Sequence, residues 1–156
     1  MPESVAVNVR GRPHTITAHL TVDPAVEVLE GVLAVQGSVL GGWSFHLLGD
    51  GRLCYVHNLA GWRTYRVEAE IAPLAPGDHA LAFRFDGPGA ALLVDGEVVA
   101  TGAGLTAGWA PDLSPADEDY RGRFAFTGTL HRVDIDVAGD PQVDAVLEAQ
   151  DALSAQ

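Results

Sequence analysis

Lysine is absent from this chain: nine arginines carry all of its fixed positive charge, against 21 carboxylates and a formal net charge of −12. With no basic patch to neutralise phosphates, a nucleic-acid backbone is not expected as a partner, and an anionic membrane surface is disfavoured for the same reason. Cysteine is reduced to Cys54, so no intrachain disulfide can staple the fold. Set between Leu53 and Tyr55 in a strand pattern, that cysteine reads as a buried, inert thiol. No run of about 18 apolar residues occurs. Met1 to His14 has no apolar leader core, and the chain as it stands is expected to be cytoplasmic.

What is abundant is glycine, with 18 residues, and apolar side chains, at 47% of 156 residues. That is enough to bury a real core, and the glycines suit a chain with many turns. The stretch Gly41 to Arg66 organises the reading. Trp43, Phe45 and Leu47 alternate with Ser44, His46 and Leu48, and Gly49-Asp50-Gly51 turns the chain. Leu53, Tyr55 and His57 then alternate with Cys54 and Val56, and Asn58 to Gly61 turns it again. Period-two alternation bounded by Gly, Asp and Asn is the hairpin signal.

The same pattern recurs along the chain. Val5 to Val9 alternates; Ile16, Ala18, Leu20 and Val22 face one way, with threonines and His19 on the other. Val32 to Gln36, Tyr65 to Ile71, His79 to Asp86, Ala91 to Val94, Glu97 to Thr101 and Thr129 to Val137 complete the strands. Asp95-Gly96 fits a type I′ turn, because both central residues need φ > 0. A long irregular connection, Gly102 to Phe124, carries Trp109, Pro111, Pro115 and the acidic run Asp117, Glu118 and Asp119. After Asp140, an N-cap with Pro141 at the first helical position, an apolar stripe at helical spacing predicts a short terminal helix. The expected architecture is all-β, a concanavalin/laminin-G-like jelly-roll β-sandwich over 1–138 with a C-terminal amphipathic α-helix over 139–156; a closed barrel is the alternative.

Several stretches, in order, are similar to the C-terminal, non-catalytic β-sandwich domain of bacterial arylsulfatases. They are SVAVNVRGRPHTITAHLTV, GVLAVQGSVLGGWSFHLLGDGRLCYVHNLAGWRTYRVEAEI, PGDHALAFRFD, LLVDGEVVATG and EDYRGRFAFTGTLHRVDIDV. GGWSFHL, the strand end Tyr55-Val56-His57-Asn58, and DEDY followed by FTGTLHRVDID are the most specific. Gly87-Pro88-Gly89 departs from the family, where a longer glycine-rich insert is expected. The resemblance implies an accessory role, because the sulfatase nucleophile lies in a C/S-x-P-x-R motif of a separate domain. Cys54-Tyr55-Val56-His57-Asn58 has neither the proline nor the arginine, so no catalytic residue carries over and no enzyme activity or cofactor is expected.

Three candidate sites follow. Trp43, Tyr55 and Trp62, with His57, Asn58, Asp119 and Tyr120, are candidates for a sugar-binding face, rings stacking on pyranoses and polar groups orienting hydroxyls; the same aromatics at period two also fit a core. Asp117 and Asp119 are candidate calcium ligands, since calcium takes six to eight oxygens, though the run lacks EF-hand spacing. Val143, Val146, Leu147 and Leu153 are a candidate protein interface, or a stripe that covers the sandwich itself; a helix this short must pack on something. The six histidines show no zinc-site spacing, although His46 and His57 could approach across the Asp50 turn. A triad assembled from Ser44, His57 and Asp50 has no positioning motif behind it. The leading expectation is a non-catalytic module that associates with protein, either itself or a sulfatase-type chain, and the alternative is a lectin-like saccharide binder.

Overall fold

A computed structural model describes residues 12–38, 41–59, 63–103, 119–120 and 123–138. The strands are β1 (His14–Val22), β2 (Gly31–Ser38), β3 (Gly41–Leu47), β4 (Arg52–Leu59), β5 (Arg63–Glu70), β6 (Gly77–Phe85), β7 (Gly89–Val94), β8 (Glu97–Ala103) and β9 (Thr129–Val137). They form two antiparallel sheets, one in the order β8-β7-β6-β1-β9 and one in the order β2-β3-β4-β5. The fold is the all-β jelly-roll sandwich; the segment expected to be helical, with Val143, Val146, Leu147 and Leu153, lies outside the described residues, as does Val5 to Val9.

Alternation sets the layers. Along β1, Ile16, Ala18, Leu20 and Val22 are buried while Thr15, Thr17, His19 and Thr21 are not, because successive side chains point to opposite faces of a strand. Trp43, Phe45, Leu47, Leu53, Tyr55, Val67 and Ala69 from one sheet meet Ile16, Leu20, Leu81, Phe83 and Leu92 from the other. At the centre the Tyr55 and Phe83 rings stack across the two layers, their centroids 3.5 Å apart and their planes 6° from parallel.

Turn chemistry fixes the registers. Asp95 and Gly96 have φ of 50° and 84°, the left-handed pair a type I′ turn requires. Between β3 and β4 the Gly51 amide donates to the Leu48 carbonyl at 3.0 Å, and Gly51 has φ 89°, which is a three-residue hairpin closed by glycine. That turn pairs Leu47 with Leu53, His46 with Cys54 and Ser44 with Val56. At the β2 edge of this sheet, residues 123–127 run beside the start of the strand: Val32 N–H donates to the Phe124 carbonyl and Thr127 N–H to the Glu30 carbonyl, both at 2.9 Å. Gly31 permits this approach, since a Cβ there would stand 2.3 Å from the Phe126 Cα.

Two histidines shape the pH response of the fold in opposite directions. His14 is buried against Phe83 and Phe85. Its Nδ1–H donates to the Arg12 carbonyl at 2.7 Å, and its Nε2 has no hydrogen-bond partner among the described residues. Burial lowers its pKa, because protonation would place an unpaired N–H in an apolar site. His79 donates from Nδ1 to Asp95 at 2.7 Å, and that bond raises its pKa. The depressed His14 loses stability as pH falls below the unfolded value of about 6.5, where only the unfolded chain takes up the proton. The raised His79 contributes fully below about 6.5, and its contribution is lost as pH climbs through the folded value. Each histidine contributes a slope of at most about 1.4 kcal/mol per pH unit. Urea midpoints are therefore expected to fall on both sides of about pH 6.5. His14→Gln should reduce only the acid limb, which the buried His46 shares, and His79→Gln should flatten only the alkaline one; a midpoint independent of pH between 5 and 8 would contradict both assignments.

Candidate functional site

Chemistry gathers on the outer face of the four-stranded sheet. The residues that alternate away from the core there are Ser44 and His46 on β3, Cys54, Val56 and Asn58 on β4, and Arg66 and Glu68 on β5. On an open sheet face these positions would be wet. Here Ser44, His46, Cys54, Val56 and Asn58 are all buried, and residues Asp119 and Tyr120 lie over the centre of the face.

The contacts form one directed chain. Arg66 grips Asp119 with two N–H donors, Nη2 to Oδ1 at 2.8 Å and Nη1 to Oδ2 at 2.9 Å. His46 Nε2 lies 2.5 Å from Asp119 Oδ2. An ionised carboxylate only accepts, so Nε2 carries the proton and Nδ1 is the acceptor. Ser44 Oγ, 3.0 Å from Nδ1, therefore donates to His46. It accepts in turn from the Tyr120 hydroxyl at 2.7 Å. Arg66 Nε also donates to Glu68 at 2.7 Å, and Arg52 ties Glu68 to Asp50 at the hairpin turn. The Tyr120 ring meets His46 edge-on at 5.2 Å and stacks on Phe124 at 5.0 Å.

The electrostatics agree with a neutral histidine between a carboxylate and a hydroxyl. Burial pushes the His46 pKa down, and the Arg66 charge adds to it, against the opposing pull of Asp119. Burial works against ionisation of Asp119, but the bonds from Arg66 and His46 together outweigh it and hold the acid below the usual carboxylate range. Burial drives the Cys54 thiol up to about 12, as expected of an inert cysteine. Ser44, His46 and Asp119 are connected as in a nucleophilic relay, yet Ser44 is 0% exposed and its hydroxyl reaches no substrate in this arrangement. A ring nitrogen of His46, Cys54 Sγ and an Asp119 oxygen also lie within 4.8 Å of one another.

The sequence-derived candidates separate. Trp43 and Tyr55 are 3% and 1% exposed. They belong to the core, where strand parity turns them away from the face that would meet a sugar, so the stacking role expected of them is corrected. His57, on the same side of β4 as Tyr55, sits between the Tyr55 and Tyr65 rings at 6.4 and 6.5 Å. Asn58, Asp119 and Tyr120 do share the outer face. Asp119 directs its oxygens to Arg66 and His46. Trp62 and Asp117 lie outside the described residues. Ser44 with His57 and Asp50 does not assemble: Ser44 and His57 point to opposite faces, and Asp50 binds Arg52 at 2.8 Å. His46, Cys54, Arg66 and Glu68 were not among the ligand candidates, although the Asp50 hairpin places His46 opposite Cys54 and the β4–β5 register places Cys54 opposite Glu68.

No protein-family model matches the chain, and no curated protein does. Solved structures do. The chain is similar to the CBM40 of the Ruminococcus gnavus IT-sialidase at 16% identity, with a TM-score of 0.56 over 83% of this chain and 79% of that one. The same CBM40 bound to α2,3-sialyllactose aligns at 18% identity with a TM-score of 0.53, over 89% of this chain and 82% of that one. Its complex with α2,6-sialyllactose aligns at 15% identity and 0.51, over 88% and 82%. At these identities the likeness is one of fold.

Proposed function

We propose that the chain is a non-catalytic carbohydrate-binding module whose ligand face is the outer surface of β2-β3-β4-β5. The observation that carries this reading is the composition of that face. A rigid sheet presents Arg52, Arg66 and Glu68, side chains with planar hydrogen-bonding groups, beside the Tyr120–Phe124 aromatic pair. Planar polar groups flanked by an aromatic ring suit a sugar, whose hydroxyls need paired donors and acceptors while its ring faces are apolar. The fold shared with a sialidase CBM40 that is found bound to sialyllactose supports the same class of ligand. Arg52 and Glu68 are 40% and 42% exposed, so their free donors and acceptors face solvent.

The test is a glycan array with neutral and sialylated glycans, followed by titration of the best ligand. Glu68→Ala and Arg52→Ala alter exposed groups and leave the core alone; each is expected to weaken binding at least about tenfold, the worth of one good hydrogen bond to a charged group. An array with no bound glycan, with or without calcium, overturns the reading.

A second reading rests on a different observation. Edge strand β8 exposes Val98 and Val99 at 49% and 41%, and an apolar sheet edge invites pairing with another chain. This supports the protein-association role that the sulfatase resemblance implies. Light scattering of the pure chain, showing a defined oligomer that Val99→Lys dissolves, would favour it over sugar binding.

A further inference from the structure

We propose that His46, Cys54 and Asp119 form a buried binding site for a transition-metal dication, of which zinc is the best match. The donor set is one imidazole nitrogen, one sulfur and one carboxylate oxygen, all within 4.8 Å of one another. Zinc takes these three donor types at about 2.0–2.3 Å, which places donors on one tetrahedral ion roughly 3.4–3.6 Å apart. The site therefore forms by drawing the sulfur inward and opening the 2.5 Å His46–Asp119 contact by about 1 Å. Sulfur and imidazole select zinc over calcium or magnesium, which need oxygen cages.

Three features beyond the ligands fit this ion. His46 and Cys54 are register partners on adjacent strands, so two ligands are held by the sheet itself. Ser44 bonds the far nitrogen of His46 at 3.0 Å, where the outer-shell partner of a ligating histidine stands. On metal binding the tautomer reverses: Nδ1–H donates to Ser44, and Nε2 offers its lone pair to the ion. The charge also closes. Asp50, Glu68 and Asp119 against Arg52 and Arg66 leave one negative charge. A dication entering as Cys54 loses its proton brings the group to neutrality, with one proton released per ion.

Arg66 now sits against both Asp119 and the sulfur, its Nη2 3.6 Å from Sγ. It is 28% exposed and keeps Glu68 as a partner, so it can withdraw from Asp119 Oδ2 while still bonding Oδ1 and the thiolate. Coordination would then pin Asp119, and with it Tyr120, to the sheet. The fourth position falls to water.

The test is titration of chelator-treated full-length protein with Co2+ and Zn2+. Expected are one ion per chain, thiolate-to-cobalt charge-transfer absorption with tetrahedral visible bands, displacement of cobalt by zinc, and one proton released per zinc in calorimetry across buffers. Cys54→Ala removes a buried sulfur without touching a charge and should abolish the thiolate band; Asp119→Asn should weaken zinc at least about 100-fold. A wild-type spectrum without the thiolate band overturns the proposal, as does a band that survives in Cys54→Ala. The wild-type spectrum and the proton count decide the matter even where a variant does not fold, and neither depends on whether the chain binds a sugar.

Discussion

Phe83→Ala is expected to cost about 4 kcal/mol, a large share of the about 5–15 kcal/mol that holds a typical domain folded. Phe83 is 1% exposed and lies face to face on Tyr55 from the opposite sheet, so truncation removes a central contact between the layers and leaves a cavity that two hydrogen-bonded sheets cannot readily close. The partner ring makes the opposite case. Tyr55 is buried, and its hydroxyl has no hydrogen-bond partner among the described residues. Tyr55→Phe keeps the stack and deletes a polar atom that gave up its water for nothing, a change expected to gain about 1 kcal/mol. Urea melts of the two variants beside the wild type check both signs. A neutral Phe83→Ala would mean the layers are held elsewhere, and a destabilised Tyr55→Phe would mean that the hydroxyl has a partner.

The core was legible because strand alternation is a direct record of burial. Ile16, Ala18, Leu20, Val22, Phe45 and Phe83 are inside as their parity requires, and Asp95-Gly96 turns as its composition demands. The same rule, applied to the second parity class, would have gathered Ser44, His46, Cys54, Arg66 and Glu68 on one face. What obscured them is that polar residues on the alternate face of a strand ordinarily point to water and carry no message. Trp43 and Tyr55 drew attention as aromatics, but large rings at period two serve a sandwich core equally well, and here they do. The cover over the second face could not be read at all. Asp119 reaches His46 across 73 residues of sequence and Arg66 across 53, and no local periodicity specifies which carboxylate of an acidic run will descend onto a sheet.

That descent makes Arg66 the most consequential charge on the face. Arg66→Ala is expected to cost about 3 kcal/mol, because it leaves the Asp119 carboxylate, 6% exposed, with His46 as its remaining donor among the described residues and without the positive charge that faces it. The value sits at the low end for a broken buried pair, since Arg66 itself is partly exposed and its unfolded-state solvation is partly retained. Arg52→Ala, two strand positions from the same cluster but 40% exposed, is expected to cost under about 1 kcal/mol. Arg66→Lys should recover only part of the loss, as an ammonium cannot reproduce the two-pronged grip on Asp119. A double-mutant cycle separates the pair from its surroundings: in an Asp119→Ala background, Arg66→Ala should cost about 1 kcal/mol or less, leaving a coupling energy of about 2 kcal/mol. Additive costs would show that Arg66 supports the sheet through Glu68 and the aliphatic part of its own side chain, and that Asp119 rests on the face without being held there by charge.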